Sequence, residues 1–112
     1  MSEPADSLYF RSCRYLTGKG VAQDLAQSFA LNAQAAKLGH HDAVLAMGWF
    51  YLNGEGVEKD LALAQKWYRK SARAGEPKAM FSLGAIATME GDYSEAHRWF
   101  ERAAAVGHHR SV

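Results

Sequence analysis

Apolar residues recur along this chain with the period of an α-helix. One stripe has the spacing i, i+3, i+4 and i+7 that defines a single helical face, and it is formed by Val44, Met47, Gly48 and Tyr51. A second stripe lies on the next segment and has Trp67 on its flank: Leu61, Ala64, Tyr68 and Ser71. With the polar turns between such stripes, the pattern predicts six helices, near residues 4–17, 24–38, 41–53, 60–74, 77–90 and 93–106.

The helical pattern occurs more than once. The phrase "GKGVAQDLA" at residues 18–26 returns as "GEGVEKDLA" at residues 54–62, and the same shift of 36 residues pairs Gly39 with Gly75. A shorter third copy, shifted by 32 residues, pairs Trp67 with Trp99. Repetition with such a period is typical of solenoid proteins. We therefore expect one repeat domain over residues 1–112, with units near residues 5–40, 41–76 and 77–109.

Polar residues and glycines mark where the helices begin and end. Aspartates stand at the N-cap positions: Asp24, Asp60 and, with Glu95 in a capping box, Asp92. A glycine closes the second helix of each unit: Gly39, Gly75 and Gly107. Pro77 fits the first turn of a helix. The paired corner glycines permit a tight turn, whereas a phosphate-binding loop would need a preceding strand and a Gly-Lys-Ser/Thr ending, which this sequence lacks.

The middle unit carries a longer pattern, A-x-x-x-L-G-x-x-Y-x-x-G-x-G-V-x-x-D-x-x-x-A-x-x-W-x-x-K-A-A-x-x-G. Its matching positions are Ala43, Gly48, Tyr51, Gly54, Gly56, Val57, Asp60, Ala64, Trp67, Lys70, Ala72 and Gly75. This pattern resembles the Sel-one-like repeat, a relative of the tetratricopeptide repeat. The first unit has Arg11 and Ser12 where leucine and glycine are expected, which predicts a loosely packed first helix or a polar cap. The third unit looks more like a plain tetratricopeptide hairpin.

The resemblance implies an all-α, tetratricopeptide-like fold. It implies a right-handed superhelical solenoid of three antiparallel helix pairs, with the first helix of each pair inside. Members of the family mostly serve as adaptors or scaffolds of protein complexes, often in bacterial signalling, secretion and envelope stress. We therefore expect a protein–protein interaction module, not an enzyme, and no cofactor. The alternative is an inhibitor or immunity protein that occludes a toxin or enzyme.

A second apolar stripe on the first helices is the strongest functional signal. In the middle unit it comprises Leu45, Trp49 and Leu52. The equivalent positions in the other units are Tyr9, Cys13 and Leu16, and Phe81, Ala85 and Thr88. Tetratricopeptide-type folds turn this face into a concave groove, where aromatic anchors suit a helix or an extended peptide. The predicted partner-binding residues, here called the first-helix stripe, are Tyr9, Cys13, Leu45, Trp49, Leu52 and Phe81. The other interpretation is that part of the stripe packs against a neighbouring repeat.

Composition narrows the kind of partner. The 112 residues are 48% hydrophobic and 22% charged, which is ordinary for a globular protein. Thirteen basic residues stand against twelve acidic ones, so the charge gives no reason to expect nucleic acid or a membrane as partner. The single cysteine, Cys13, suits a reducing compartment. The first residues show no signal-peptide pattern, and we expect a cytoplasmic protein.

Candidate chemistry is sparse. The paired histidines, His40-His41 and His108-His109, are interpreted as polar turn residues rather than as a zinc site, and we expect no metal. Cys13 is interpreted as a helix filler rather than as a nucleophile, and no residue is predicted to be catalytic. The fourth helix carries a basic face formed by Lys66, Arg69, Lys70 and Arg73. This face could bind an acidic partner or a nucleic-acid backbone. It is interpreted as solvated because Glu58, Asp60 and Glu76 lie near it in sequence. An apolar flank on the last helix predicts a weak homo-oligomer: Ala103, Ala104 and Val106.

Overall fold

The computed structural model describes the backbone of residues 3–110 and the side chains of residues 3–106. This part of the chain contains six α-helices and no strand. The helices are α1 (Ala5–Thr17), α2 (Leu25–Lys37), α3 (His41–Asn53), α4 (Leu61–Arg73), α5 (Pro77–Met89) and α6 (Tyr93–Arg110). The predicted all-α class and the six predicted helices are confirmed, and α5 begins at Pro77 as expected.

The last helix is longer than predicted. Gly107 was expected to close it, but α6 continues through this residue to Arg110. The physical reason is that glycine permits a left-handed turn without imposing one, and a glycine inside a helix costs only about 1 kcal/mol relative to alanine. Gly39 and Gly75 do adopt positive φ angles, of 87° and 89°, two residues after the last residues of α2 and α4. The structure thus confirms two of the three predicted stop signals.

The chain divides into two compact units, and the boundary falls inside α4, between Ala64 and Gln65. In the first unit α1 and α2 are antiparallel and share a buried polar contact. Ser12 Oγ donates to Ser28 O at 2.6 Å, and Ser28 Oγ donates to Ser12 O at 2.8 Å. Ser12 is only 2% exposed. The unusual serine of the first unit is therefore well packed, so the prediction of a loose first helix is wrong at this position.

Helices α2 and α3 also pack as an antiparallel pair in the first unit. The ring of Phe29 meets Phe50 and Tyr51 edge to face, with ring centroids 5.7 and 5.5 Å apart. Asn32, which is 1% exposed, donates from Nδ2 to the Ala43 carbonyl at 3.0 Å. The core of this unit is formed mainly by buried aliphatic side chains, as the stripe of Val44 and Met47 predicted, and includes Leu8, Leu31, Ala35, Ala36 and Ala43.

The second unit is built on the α5–α6 hairpin and the later part of α4. The ring of Phe100 lies against α5, where a Cβ atom on Gly84 would approach it to 2.6 Å. Tyr68 and Ser71 of α4 are buried, as their predicted stripe requires, and burial raises the pKa of Tyr68, an effect that Ser82 partly offsets. The core of this unit includes Ala72, Ala79, Met80, Leu83, Ile86, Ala87, Ala96 and Ala103.

The corners between helices follow the predicted chemistry. The corner glycines all have φ near +70 to +80°, namely Gly18, Gly20, Gly54 and Gly56. The three predicted aspartate caps accept a backbone N–H from three residues on: Asp24, Asp60 and Asp92. Only half of the predicted capping box forms, because the Asp92 N–H donates to the Ala87 carbonyl at 2.9 Å. Glu95 instead accepts a hydrogen bond from Trp99 Nε1 at 3.3 Å.

Candidate partner-binding surface

Five residues of the first-helix stripe lie in the first unit. Tyr9 and Cys13 are on α1, and Leu45, Trp49 and Leu52 are on α3. Both helices are antiparallel to α2 and so run in the same direction. Trp49 is exposed, and the other four side chains are half-buried. The stripe is therefore accessible along both helices, rather than wholly packed away inside this unit.

Tyr9 is held in place at the start of α3. Its ring stacks on that of His40, with centroids 4.7 Å apart. His40 is fixed in turn: its Nδ1 accepts the Ala43 N–H at 3.2 Å, and its Nε2 lies 3.0 Å from a carboxylate oxygen of Asp6. Part of the Tyr9 surface is therefore used inside the unit, as the packing interpretation of the stripe expected.

The surroundings of Tyr9 also disfavour its ionised form. Burial is the largest cause, followed by electrostatic and hydrogen-bonding effects of Cys13 and by the Asp42 carboxylate, and together they raise the pKa of Tyr9 from 10.0 to about 12. Tyr9 is thus a neutral phenol at physiological pH, beside a half-buried thiol that forms no disulfide. This part of the stripe offers a partner apolar surface and one hydroxyl group.

Trp49 is the most prominent residue of the stripe on α3. Its side chain is 38% exposed, and its ring meets the buried Phe50 edge to face, with centroids 5.2 Å apart. Because Phe50 is only 2% exposed, the indole rests on a buried side chain of the core. Leu45 and Leu52 flank the indole one helical turn to either side and are half-buried. This arrangement is a supported aromatic anchor between two aliphatic side chains.

The remaining stripe residue, Phe81, lies in the second unit on α5. It is 62% exposed, and its ring lies 5.0 Å from that of Phe100. Met89, eight residues further along α5, is also largely exposed, and Ala85 between them is exposed as well. Thr88 was the residue expected to continue this stripe, but its hydroxyl donates back to the Gly84 carbonyl at 2.9 Å. The spacing i, i+4 and i+8 from Phe81 would have identified Met89.

The histidines whose side chains the structure describes lie at a helix cap and at two exposed positions. His40 caps α3, His41 is exposed, and His97 Nε2 lies 3.0 Å from Glu101 on the same helix. The side chains of His108 and His109 lie outside the described residues. Among the side chains that the structure describes, no three of the His, Cys, Asp and Glu groups are placed to hold a metal ion.

The basic face of α4 is exposed at all four positions, as the solvated-face interpretation predicts: Lys66, Arg69, Lys70 and Arg73. The Lys70 ammonium group lies 5.4 Å from the centre of the Trp67 ring, at cation–π distance. Within residues 3–110, no helix is long and apolar enough to cross a membrane.

The sequence matches the model of the Sel1 repeat three times, at residues 5–40, 41–76 and 77–108. Among solved structures, a Sel1 repeat protein from Oxalobacter formigenes is 34% identical, with a TM-score of 0.82 over 92% of this chain. The protective antigen c5321 of uropathogenic Escherichia coli, which displays an SLR fold, is 35% identical, with a TM-score of 0.83 over 92% of this chain. The chain spans 44% of the first structure and 23% of the second. No curated protein matches this sequence.

Proposed function

Because the chain belongs to the Sel1 repeat family, we propose that it binds a helix or extended peptide of a partner protein on its first-helix stripe. Sel1 repeat proteins are generally non-enzymatic modules for protein–protein interaction. The observation that carries the proposal is Trp49, an accessible indole that rests on the buried Phe50 ring. The lone Cys13 leads us to infer a reducing, cytoplasmic setting as well.

The environment of Trp49 has the properties of a binding anchor. Tryptophan offers a large contact area with few rotatable bonds, so a partner loses little side-chain entropy when it covers the ring. The edge-to-face contact with Phe50 restricts the indole further before any partner arrives. Leu45 and Leu52 provide the surrounding apolar contacts that exclude water from such an anchor.

The exposed side chains of α5 support the same function in the second unit. Phe81 and Met89 are each more than half exposed on α5, so both side chains offer apolar surface to a partner. Methionine adapts its shape to different partners, whereas Phe81 is backed by the Phe100 ring. The charge of the stripe is low, which favours an amphipathic segment whose apolar face is presented to the protein.

The test begins with a photo-crosslinking amino acid in place of Leu52, which captures the partner that lies on the stripe in cells. The purified partner is then titrated into wild-type and Trp49→Ala protein by calorimetry. Truncation of a central aromatic anchor costs about 2 kcal/mol or more, or roughly a thirtyfold loss of affinity. If the captured partner is an enzyme or toxin, its activity in the presence of the protein decides the alternative function as an inhibitor.

The matched control is the double variant Lys66→Ala/Lys70→Ala on the exposed basic face of α4. Removal of exposed charges mainly changes the association rate at low salt, so this variant should bind with nearly unchanged affinity. Circular dichroism establishes that both variants are folded. Full binding by Trp49→Ala, with binding lost in the lysine variant, would make the proposal wrong.

A further inference from the structure

A cavity of about 270 Å³ lies in the second unit, on residues that the first-helix stripe does not use. It is lined by Arg69, Ala72, Arg73, Met80, Trp99 and Arg102. These residues come from α4, α5 and α6, so the cavity is formed by the packing of three helices and not by one surface loop. We call it the arginine cavity.

The lining combines an apolar floor with three cationic groups. Ala72 and Met80 are buried, at 7% and 8% exposure, and Trp99 is half-buried. The three arginine side chains are exposed at the rim. Within the described residues from Gln65 onward, none of the three guanidinium groups takes part in an ion pair. Three like charges around one cavity repel each other, and an anion placed among them would relieve that repulsion.

One of the three arginines lies against an aromatic ring of the cavity lining. The Arg102 guanidinium group lies 5.0 Å from the centre of the Trp99 ring, at cation–π distance. At this distance the ring attracts the cation, and the planar guanidinium group still has five N–H donors to offer a ligand. Trp99 is itself held by the hydrogen bond from Nε1 to Glu95. A planar acceptor with two oxygens fits the guanidinium group best, because it can accept two parallel N–H donors.

Acidic groups next to the arginine cavity limit the length of its ligand. A second cavity of about 240 Å³ shares Arg69 and Trp99 with it and is also lined by Glu90 and Glu95. Glu90 accepts a hydrogen bond from Gln65 at 2.9 Å, so the carboxylate is held in place. A long polyanion that continued beyond the arginines would meet these two carboxylates. The charge pattern therefore suits a short, local anionic group better than a nucleic-acid backbone.

We propose that the arginine cavity binds the carboxylate side chains of an acidic segment of a partner protein. The carboxylate would accept N–H donors from Arg102 and from Arg69 or Arg73, while the methylene groups of a glutamate would cover Met80 and Ala72. The cavity lies outside the first-helix stripe, so this inference does not rest on the proposed function. The inference gives the protein a second, electrostatic contact surface for a partner protein, on α4 and α6, in addition to the first-helix stripe.

Nuclear magnetic resonance of the indole N–H groups tests the inference directly. The protein has three tryptophans: Trp99 lines the arginine cavity, Trp49 belongs to the first-helix stripe, and Trp67, which lies beside Lys70, reports general attraction of the peptide to the basic face of α4. The probe is an amidated hexapeptide of glutamate and leucine, and the matched probe has glutamine in place of glutamate. We expect a saturable shift of the Trp99 signal with the glutamate peptide only.

Two double variants establish which charges are responsible. Arg69→Gln/Arg102→Gln should weaken binding of the glutamate peptide about tenfold or more, because charge-assisted hydrogen bonds are lost. Lys66→Gln/Lys70→Gln removes the same number of positive charges, both from α4, retains all residues of the cavity lining, and should change affinity less than about twofold. An equal loss in both variants would reduce the effect to general electrostatic attraction and overturn the inference.

Other anions distinguish the ligand class. Inorganic phosphate and a short oligothymidylate are titrated at the same charge concentration as the peptide. If either shifts the Trp99 signal with equal or higher affinity, or if the glutamate peptide produces no saturable shift, the assignment to an acidic protein segment is wrong. A shift of Trp49 alone would support the first-helix stripe and would still overturn the arginine cavity, so the two proposals fail separately.

Discussion

Ser12 and Asn32 show how side-chain volume is balanced between two helices at the level of single residues. By the repeat, Ser12 corresponds to Gly84, and Asn32 corresponds to Phe100. Gly84 has no room for a side chain, because a Cβ atom would lie 2.6 Å from the Phe100 ring. In the first unit the smaller Asn32 stands in place of the ring, and the Ser12 side chain is accommodated against Ser28. Glycine is therefore required where an aromatic ring stands opposite, and the first unit, which has no aromatic residue at the ring position, carries a serine in place of the glycine.

Gly56 is a position where backbone conformation and space both exclude a side chain. Its φ is +69°, and a Cβ atom would lie 2.1 Å from the Leu25 carbonyl oxygen at the start of α2. Gly75 has a φ of +89°, but nothing lies within 4 Å of the corresponding Cβ position. Alanine at Gly75 should cost about 1–2 kcal/mol of unfolding free energy from backbone strain alone. Alanine at Gly56 should cost about 1–3 kcal/mol more.

Urea denaturation of the two variants measures this difference, and circular dichroism checks that their helix content is unchanged. The comparison holds the substituted residue constant, so helix and turn propensities largely cancel. Equal losses at Gly56 and Gly75 would contradict the close approach of the corner to α2.

Tyr9 makes the stability depend on pH in the alkaline range. Its pKa is about 12 in the folded protein against 10.0 for an ordinary tyrosine. Between these values the unfolded chain has lost a proton that the folded protein keeps, so unfolding free energy falls as pH rises. The contribution of Tyr9 to the free energy of unfolding is complete below pH 10 and is lost as pH rises through its pKa in the folded protein, about 12. Tyr9→Phe should show a shallower decline over this window, measured by urea denaturation at a series of pH values.

Ultraviolet absorbance of the phenolate provides an independent check. Tyr9→Phe should remove the component of the titration with its midpoint near 12. If the variant instead removes a component that ionises near the ordinary value of 10, the described contacts with His40 and Cys13 do not protect the phenol in solution.

At the scale of helices, the features that the sequence predicted correctly are local ones. The period of the apolar residues, the aspartate caps and Pro77 act within one or two turns, and the structure confirms them. The features that the sequence missed depend on a neighbouring helix. Examples are the stacking of Tyr9 on His40 and the convergence of Arg69 with Arg102. A sequence pattern indicates on which face of its helix a residue lies, but not which side chain of a neighbouring helix packs against it.

Gly107 provides a test of a helix end at which sequence and structure differ. Alanine destabilises a protein when it replaces a glycine with positive φ at the end of a helix. It stabilises a protein when it replaces a glycine inside a helix. Because α6 continues to Arg110, Gly107→Ala should raise the unfolding free energy, by at most about 1 kcal/mol. Gly75→Ala, at a glycine with a φ of 89°, should lower it. Thermal denaturation shows whether each substitution raises or lowers the stability. A loss of stability in Gly107→Ala would mean that the helix ends at Gly107, as the sequence predicted.

At the scale of the whole molecule, repeat arrays must protect the apolar surface that each unit presents to the next. The structure refines the predicted apolar flank of α6. Ala103 is buried in the second unit and offers no surface, whereas Ala104 is exposed and Val106 is half-buried. The part of the flank that is open to another molecule is therefore small. Contacts of this size are typical of weak association.

We accordingly predict weak self-association through α6, with a dissociation constant in the high micromolar range, about 5–6 kcal/mol of binding free energy. Sedimentation equilibrium over a range of concentrations measures it. Ala104→Glu places a charge on the exposed part of the flank and should abolish the association, because two such charges would face apolar surface or each other. Ser94→Glu adds the same charge to an exposed position near the start of α6 and should leave the association intact. A strict monomer at high micromolar concentration, or equal effects of the two glutamates, would show that the flank of α6 does not mediate assembly.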